Sequence, residues 1–130
     1  MTIEEISSEL PSGLHDLQLK QIMRNMEFGT VRLDVKVVVG LLENGHKLDY
    51  RDAAIIFEGV QYLVSEFPDS TSVFRDRGTV WLTIDRSDAG VIPNNLDKML
   101  PPETQRYSCF VREWYSSFHI AAGNVSFAWI

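Results

Sequence analysis

The stretch Thr-Val-Arg-Leu-Asp-Val-Lys-Val-Val-Val-Gly, residues 30–40, decides the fold class of this chain. Apolar side chains stand at every odd position from 31 to 39, and Arg32, Asp34 and Lys36 stand between them. Successive side chains of a strand point to opposite faces, so this alternation predicts a strand with one buried and one solvated face. A sheet with a solvated face is usually antiparallel, and the stretch therefore predicts a mainly β protein.

Segments with a similar alternation lie on both sides of this stretch. Residues 17–26 predict a strand with a bulge near Gln21, where the apolar positions change parity. A tight turn is predicted at residues 27–29, and it joins that strand to residues 30–39 as a hairpin. Further strands are predicted at residues 51–67 (as one long strand or a strand pair), 79–85, 107–122 (as one long or two short strands) and 125–129.

Glycines predict two changes of chain direction later in the sequence. Gly59 lies inside the long apolar segment and predicts a bulge or a bend. Gly123 and Asn124 predict a two-residue hairpin turn, because this pair suits the tight turns that join antiparallel strands. The strand after that turn is expected to bury Trp129 in the core, on the same face as Val125.

A short helix is predicted at residues 3–10, with Thr2 as its N-cap and Glu5 completing a capping box. The segment 86–106 contains three prolines and no alternation, apart from one helical turn predicted at residues 94–100. A connection of this length often carries function. These segments predict a single domain over residues 1–130, mainly β with α+β as the alternative. Its twisted antiparallel sheet of six or seven strands would curl into a half-barrel or a sandwich.

Composition narrows the classes of function. The chain is 45% hydrophobic, and Cys109 is its only cysteine, so it can build a core but no intrachain disulfide. No apolar run approaches the roughly 18 residues of a membrane span, and the early acidic residues argue against a signal peptide. We therefore expect a cytoplasmic protein without a membrane partner. The net charge of −6 disfavours nucleic acid and suits a basic protein partner.

No segment matches a catalytic, metal-binding or nucleotide-binding motif, so no catalytic residue, metal or cofactor is predicted. A first candidate site consists of His15, Asp16 and His119, converging in the cavity of a small ligand-binding or hydrolytic half-barrel with residues 86–106 as its lid. The structural alternatives are that Asp16 caps a turn, that His15 bonds a backbone carbonyl and that His119 is a satisfied strand residue. An enzyme is less favoured than the protein-binding surface described next.

A second candidate site is a surface for binding another protein. Trp81, Trp114 and Tyr115 are its predicted anchors, because aromatic side chains dominate the energetics of many interfaces. Asp85 and Asp88 are its predicted rim charges, which would speed the encounter with a basic partner. The structural alternatives are that the aromatic residues fill a β core and that the aspartates form a turn.

Four segments give the chain a resemblance to a loose group of small bacterial β-rich proteins that open with Leu or Phe followed by His-Asp. They are Leu14-His15-Asp16, Gly29-Thr30-Val31, Ile55-Ile56-Phe57-Glu58-Gly59-Val60 and an aromatic hairpin over residues 115–129. Leu17 departs from the small residue that the group carries at that place. The group resembles toxin-immunity proteins, which bind and block a bacterial toxin without catalysis. The resemblance implies a non-catalytic protein-binding module whose partner is a basic toxin domain. A homodimer formed by edge pairing of the last strand is a further alternative.

Overall fold

The structure is a computed structural model, and it describes residues 2–41, 45, 48–65, 80–87, 94–112 and 116–130. Neighbouring strands are antiparallel throughout these residues, and the predicted mainly β fold with a short N-terminal helix is confirmed. The elements are α1 (Ile3–Ser8), β1 (Leu17–Asn25), β2 (Thr30–Leu41), β3 (Leu48–Ser65), β4 (Val80–Arg86), α2 (Asn94–Asp97), β5 (Gln105–Val111) and β6 (Ser116–Trp129).

These six described strands follow one another round a ring in the order β1-β2-β3-β6-β5-β4. The ring is closed by the pairing of β1 with β4, which involves only the residues from Leu17 to Leu19 on β1. The remainder of β1, from Gln21 to Asn25, pairs with β2. The sheet therefore curls, as predicted, until its edge strands β1 and β4 meet. They meet only over a short stretch of β1.

The bulge predicted near Gln21 is confirmed by a register shift between Leu19 and Gln21. Beyond it, Ile22 lies opposite Leu33, a core residue, so Ile22 takes the inward position on β1. The inward side chains of the other strands alternate as the sequence predicts. They fill the ring with one apolar cluster, in which the rings of Phe57 and Tyr107 meet at a centroid distance of 5.0 Å.

β3 and β6 form the longest strand pair of the sheet, and their pairing corrects the prediction of a turn at Gly123 and Asn124. β6 is continuous there, because Asn124 pairs with Glu58 and Ala122 pairs with Val60. The predicted final hairpin is therefore a single strand. The irregularity belongs to β3 instead: Gly59 has a φ of 61°, and the register with β6 shifts between Val60 and Tyr62, which agrees with the bulge predicted near Gly59.

α1 packs onto the ring with an apolar side that joins the core cluster. Thr2 caps the helix as predicted, because its Oγ1 accepts a hydrogen bond from the Glu5 N–H at 3.1 Å. Ile3 and Ile6 are buried against the core. The carbonyl of Leu14 accepts a hydrogen bond from the Ile84 N–H at 2.9 Å, so the chain leaving α1 is tied to β4.

The end of β6 corrects a second expectation about the core. Trp129 is 38% exposed, although it shares a face with the buried Val125. Its ring packs against Phe127 edge to face, and the guanidinium of Arg51 lies 4.6 Å from its centroid. The alternation along this strand is right, but burial declines towards its end, where Phe127 is half-buried and Trp129 is exposed. In the described part of the chain, neither helix has the length and apolarity to cross a membrane.

Candidate functional site

The turn that joins β1 to β2, residues 26–29, is called the hairpin tip here. Asn25 fixes this turn, because its Oδ1 accepts hydrogen bonds from the backbone N–H groups of Glu27 and Phe28 at 3.1 and 3.2 Å. Gly29 has a φ of 63°, a conformation that other residue types adopt only with strain. The tight turn predicted from the sequence is therefore confirmed.

The hairpin tip presents large apolar side chains to solvent. Met26 is 78% exposed and Phe28 is 72% exposed, and both stand in a turn, where polar residues are the usual choice. Ile22 and Met23, on the adjoining part of β1, are exposed to about half that extent. Neighbouring exposed apolar side chains mark interaction surfaces, and methionine and aromatic residues are enriched in protein interfaces.

A groove of about 180 Å³ lies between the hairpin tip and the middle of β3. One hydrogen bond ties the two sides together: the Val60 N–H donates to the Gly29 carbonyl at 2.9 Å. Beyond Val60, β3 continues to pair with β6, whereas β2, which begins at Thr30, does not extend alongside it. The groove is lined by Arg24, Asn25, Met26, Gly29, Thr30, Val31, Val60, Gln61, Tyr62 and Leu63.

Charged groups surround the groove unevenly. Arg24 is the one charged residue among those that line it. Glu27, in the hairpin tip, and Glu58, two residues before Val60 on β3, are exposed carboxylates outside the lining. The groove therefore combines apolar walls and one cation with an acidic surround.

The predicted protein-binding residues are only partly described. Trp81 is half-buried on the outward face of β4, with the Tyr50 ring 6.3 Å from its centroid and the Arg112 guanidinium 5.5 Å away. Part of its surface is thus used within the chain. Asp85 lies on the same face of β4, near its end. Trp114, Tyr115 and Asp88 lie outside the described residues.

His15, Asp16 and His119 have different neighbours in the structure. His15 Nε2 lies 3.2 Å from Asp85 Oδ1, and both side chains are more than half exposed. Asp16 is exposed and has a φ of 55°, as its predicted role in a turn allows. His119 Nδ1 forms a hydrogen bond with Ser108 Oγ at 2.9 Å, from β6 to β5.

The sheet register places Asp85, Ser108 and His119 in one outward-facing row, whereas His15 and Asp16 precede β1. Asp85 is paired with Ser108 across β4 and β5, and Ser108 is paired with His119 across β5 and β6. Because strands lie about 4.8 Å apart, the backbones of Asp85 and His119 are roughly 10 Å apart, with β5 between them. Ser108 therefore stands between a carboxylate on β4 and a histidine on β6.

Other titratable groups in the core and at α1 have structural roles. Burial raises the pKa of the Cys109 thiol and of the Tyr107 phenol, so both stay protonated at neutral pH. The Arg86 guanidinium donates two hydrogen bonds to Glu4, at 2.6 and 2.8 Å, and lowers the pKa of that carboxyl to about 2. No group of three or more metal-ligating side chains occurs within the described ranges.

The hairpin tip is the feature that the sequence reading missed. The sequence predicts Met26 as the end of a strand and residues 27–29 as a turn, and the signal that indicates the site is the presence of Met26 and Phe28 at this place. The groove could not have been found in this way. Its two sides are brought together by the bond between Gly29 and Val60, which are distant in sequence.

Comparisons of the chain with protein-family models, with curated proteins and with solved structures found no match. A fold of this kind can host many functions, so the fold by itself does not select one. The function is therefore inferred from the hairpin tip and the groove.

Proposed function

We propose that this protein is a non-catalytic protein-binding module and that the hairpin tip is the centre of its binding surface. The observation that carries the proposal is the exposure of Met26 and Phe28, two residues apart in a turn whose backbone is held by Asn25. A large apolar side chain held in water is unfavourable, and covering it by a partner stabilises the complex.

The conformation of the turn favours binding by a preformed surface. Asn25 and Gly29 hold the backbone of the turn, and the hydrogen bond from Val60 holds the turn against β3. A surface that is already ordered loses less conformational entropy on binding than a mobile loop does. Met26 and Phe28 therefore suit the role of anchors.

A basic partner fits the charge of this molecule best. The net charge of −6 attracts a basic protein over distances of about 10 Å at moderate salt. Glu27 and Glu58 stand close to the apolar centre, where rim charges speed association and help to orient the partner. The resemblance to toxin-immunity proteins leads to the same proposal, in which the partner is a basic toxin domain blocked by occlusion.

Site-specific photocrosslinking in the cells that produce this protein tests the proposal. A benzophenone side chain placed at Phe28 should yield an adduct with one other protein. The matched control is the same group at Met99, which is 80% exposed but lies near α2. We expect the adduct from position 28 and not from position 99.

Two results would count against the proposal. Equal adducts from both positions would mean that the hairpin tip has no preference for a partner. Adducts formed only between copies of this chain would indicate that the surface mediates self-association and does not bind a different protein. This is the homodimer that the sequence leaves open.

A further inference from the structure

Arg24 differs from the other arginines that the structure describes. The side chains of the others each have a partner, either a carboxylate or a tryptophan ring: Arg32 with Asp34, Arg86 with Glu4, Arg106 with Asp97, Arg51 with Trp129 and Arg112 with Trp81. Within the described chain, the Arg24 side chain makes no hydrogen bond, ion pair or ring contact. Its guanidinium is therefore available to a ligand.

The position of Arg24 on the sheet is also unusual for a cation. Arg24 is paired with Val31, whose side chain belongs to the core, and cross-strand partners share one face of a sheet. Arg24 therefore stands on the inward face of β1, where that strand has passed beyond its pairing with β4. Its side chain is exposed there, so the guanidinium lies in water beside the apolar lining of the groove.

The groove beside Arg24 is apolar and small. Val31, Val60 and Leu63 supply aliphatic walls, and the lining contains no carboxylate. Its volume of about 180 Å³ lies below the roughly 300–1,000 Å³ of sites for drug-sized ligands, so the groove suits a smaller ligand. The groove therefore matches a short hydrocarbon chain, and its one charge matches an anionic group at the end of that chain.

We propose that this groove binds a short aliphatic monocarboxylate, with the hydrocarbon chain against Val31, Val60 and Leu63 and the carboxylate on Arg24. An arginine fork and a carboxylate can form two parallel hydrogen bonds, which gives the site a preference for this head group. The aliphatic walls favour a ligand that carries a hydrocarbon tail. This ligand site shares Met26 with the protein-binding surface proposed above, but the binding of a small carboxylate can be tested without a protein partner.

A titration of the ¹⁵N-labelled protein with hexanoate tests the proposal. We expect saturable shifts of the Gly29, Val60 and Leu63 amide signals, with a Kd of about 1–10 mM for so small a ligand. Hexanamide, which keeps the tail without the charge, and acetate, which keeps the charge without the tail, should each bind at least about tenfold more weakly.

Variants separate Arg24 from the general charge of the surface. Arg24→Gln should weaken hexanoate binding at least about tenfold, and Arg24→Lys should retain part of it. Arg32→Gln is the matched control, because it makes the same change of charge at a residue already paired with Asp34. Arg32→Gln should leave the Kd unchanged. These variants keep Met26 and Phe28, so the result does not depend on the protein-binding proposal.

Several outcomes would overturn the proposal. Hexanamide that binds as well as hexanoate would remove the role of the charge, and an unchanged Kd for Arg24→Gln would remove the role of Arg24. Shifts confined to other parts of the sheet, or no saturation up to about 50 mM hexanoate, would show that the groove is not the binding site.

Discussion

Replacement of Ile6 by alanine tests whether α1 is part of the core. Ile6 is 1% exposed and belongs to the cluster that fills the ring. The change removes three carbon atoms, which corresponds to about 2.4 kcal/mol at about 0.8 kcal/mol for each buried group. A residual cavity adds about 1 kcal/mol, because the neighbouring side chains relax only in part. We expect the free energy of unfolding to fall by about 3 kcal/mol.

The matched control is Ile22→Ala, the same change at an inward position of β1 that is 39% exposed. Without a closed cavity its cost should be about 1 kcal/mol. The assay is urea unfolding followed by tryptophan fluorescence. With a slope of about 2 kcal/mol per molar urea, the midpoint should fall by about 1.5 M for Ile6→Ala and about 0.5 M for Ile22→Ala. A loss below about 0.5 kcal/mol for Ile6→Ala would refute the packing of α1 described here.

Three further predictions concern single groups of the fold. Because the pKa of Glu4 is lowered from 4.5 to about 2, its ion pair with Arg86 stabilises the protein above pH 4.5, and this contribution is lost as the pH falls to about 2. In urea unfolding, the wild type should therefore lose slightly more stability over that range than Glu4→Gln does, by less than about 1 kcal/mol because both side chains are about half exposed. Gly59→Ala should lower the free energy of unfolding by about 1–2 kcal/mol in thermal or urea unfolding, because the φ of Gly59 is 61°. Gly123 has no positive φ, so Gly123→Ala should cost less than about 0.5 kcal/mol. Equal losses would contradict the conformation described for Gly59. Cys109 is fully buried and its thiol pKa is raised, so a thiol reagent such as dithionitrobenzoate should label it only after unfolding, and rapid labelling of the native protein would contradict this burial.

The fold was largely predictable because its evidence is local. Alternation along residues 30–40, the change of parity near Gln21 and the cap at Thr2 each depend on a few neighbouring residues. The turn expected at Gly123 and Asn124 failed for the opposite reason. Their local preference for a turn is overridden by the pairing of Asn124 with Glu58 and of the adjacent Ala122 with Val60, residues more than 60 positions away in sequence.

The candidate site was less predictable than the fold. Trp129 was expected in the core from its alternation with Val125, but alternation shows which face a residue occupies and not where the core ends. The partners of His15 and His119 depend on the register of β4, β5 and β6, which no short motif encodes. Likewise, only the structure distinguishes Arg24, which has no side-chain partner among the described residues, from the other described arginines.

The central claim is that the apolar hairpin tip is a binding surface, and the affinity of the crosslinked partner for purified variants tests it most directly. Titration calorimetry should show that Met26→Ser with Phe28→Ser weakens the Kd at least about 30-fold, equivalent to about 2 kcal/mol, as expected for central anchors. Met99→Ser, an equally exposed methionine elsewhere, should leave the Kd within about twofold of the wild type. An unchanged Kd for the double variant, with its fold intact, would contradict the claim.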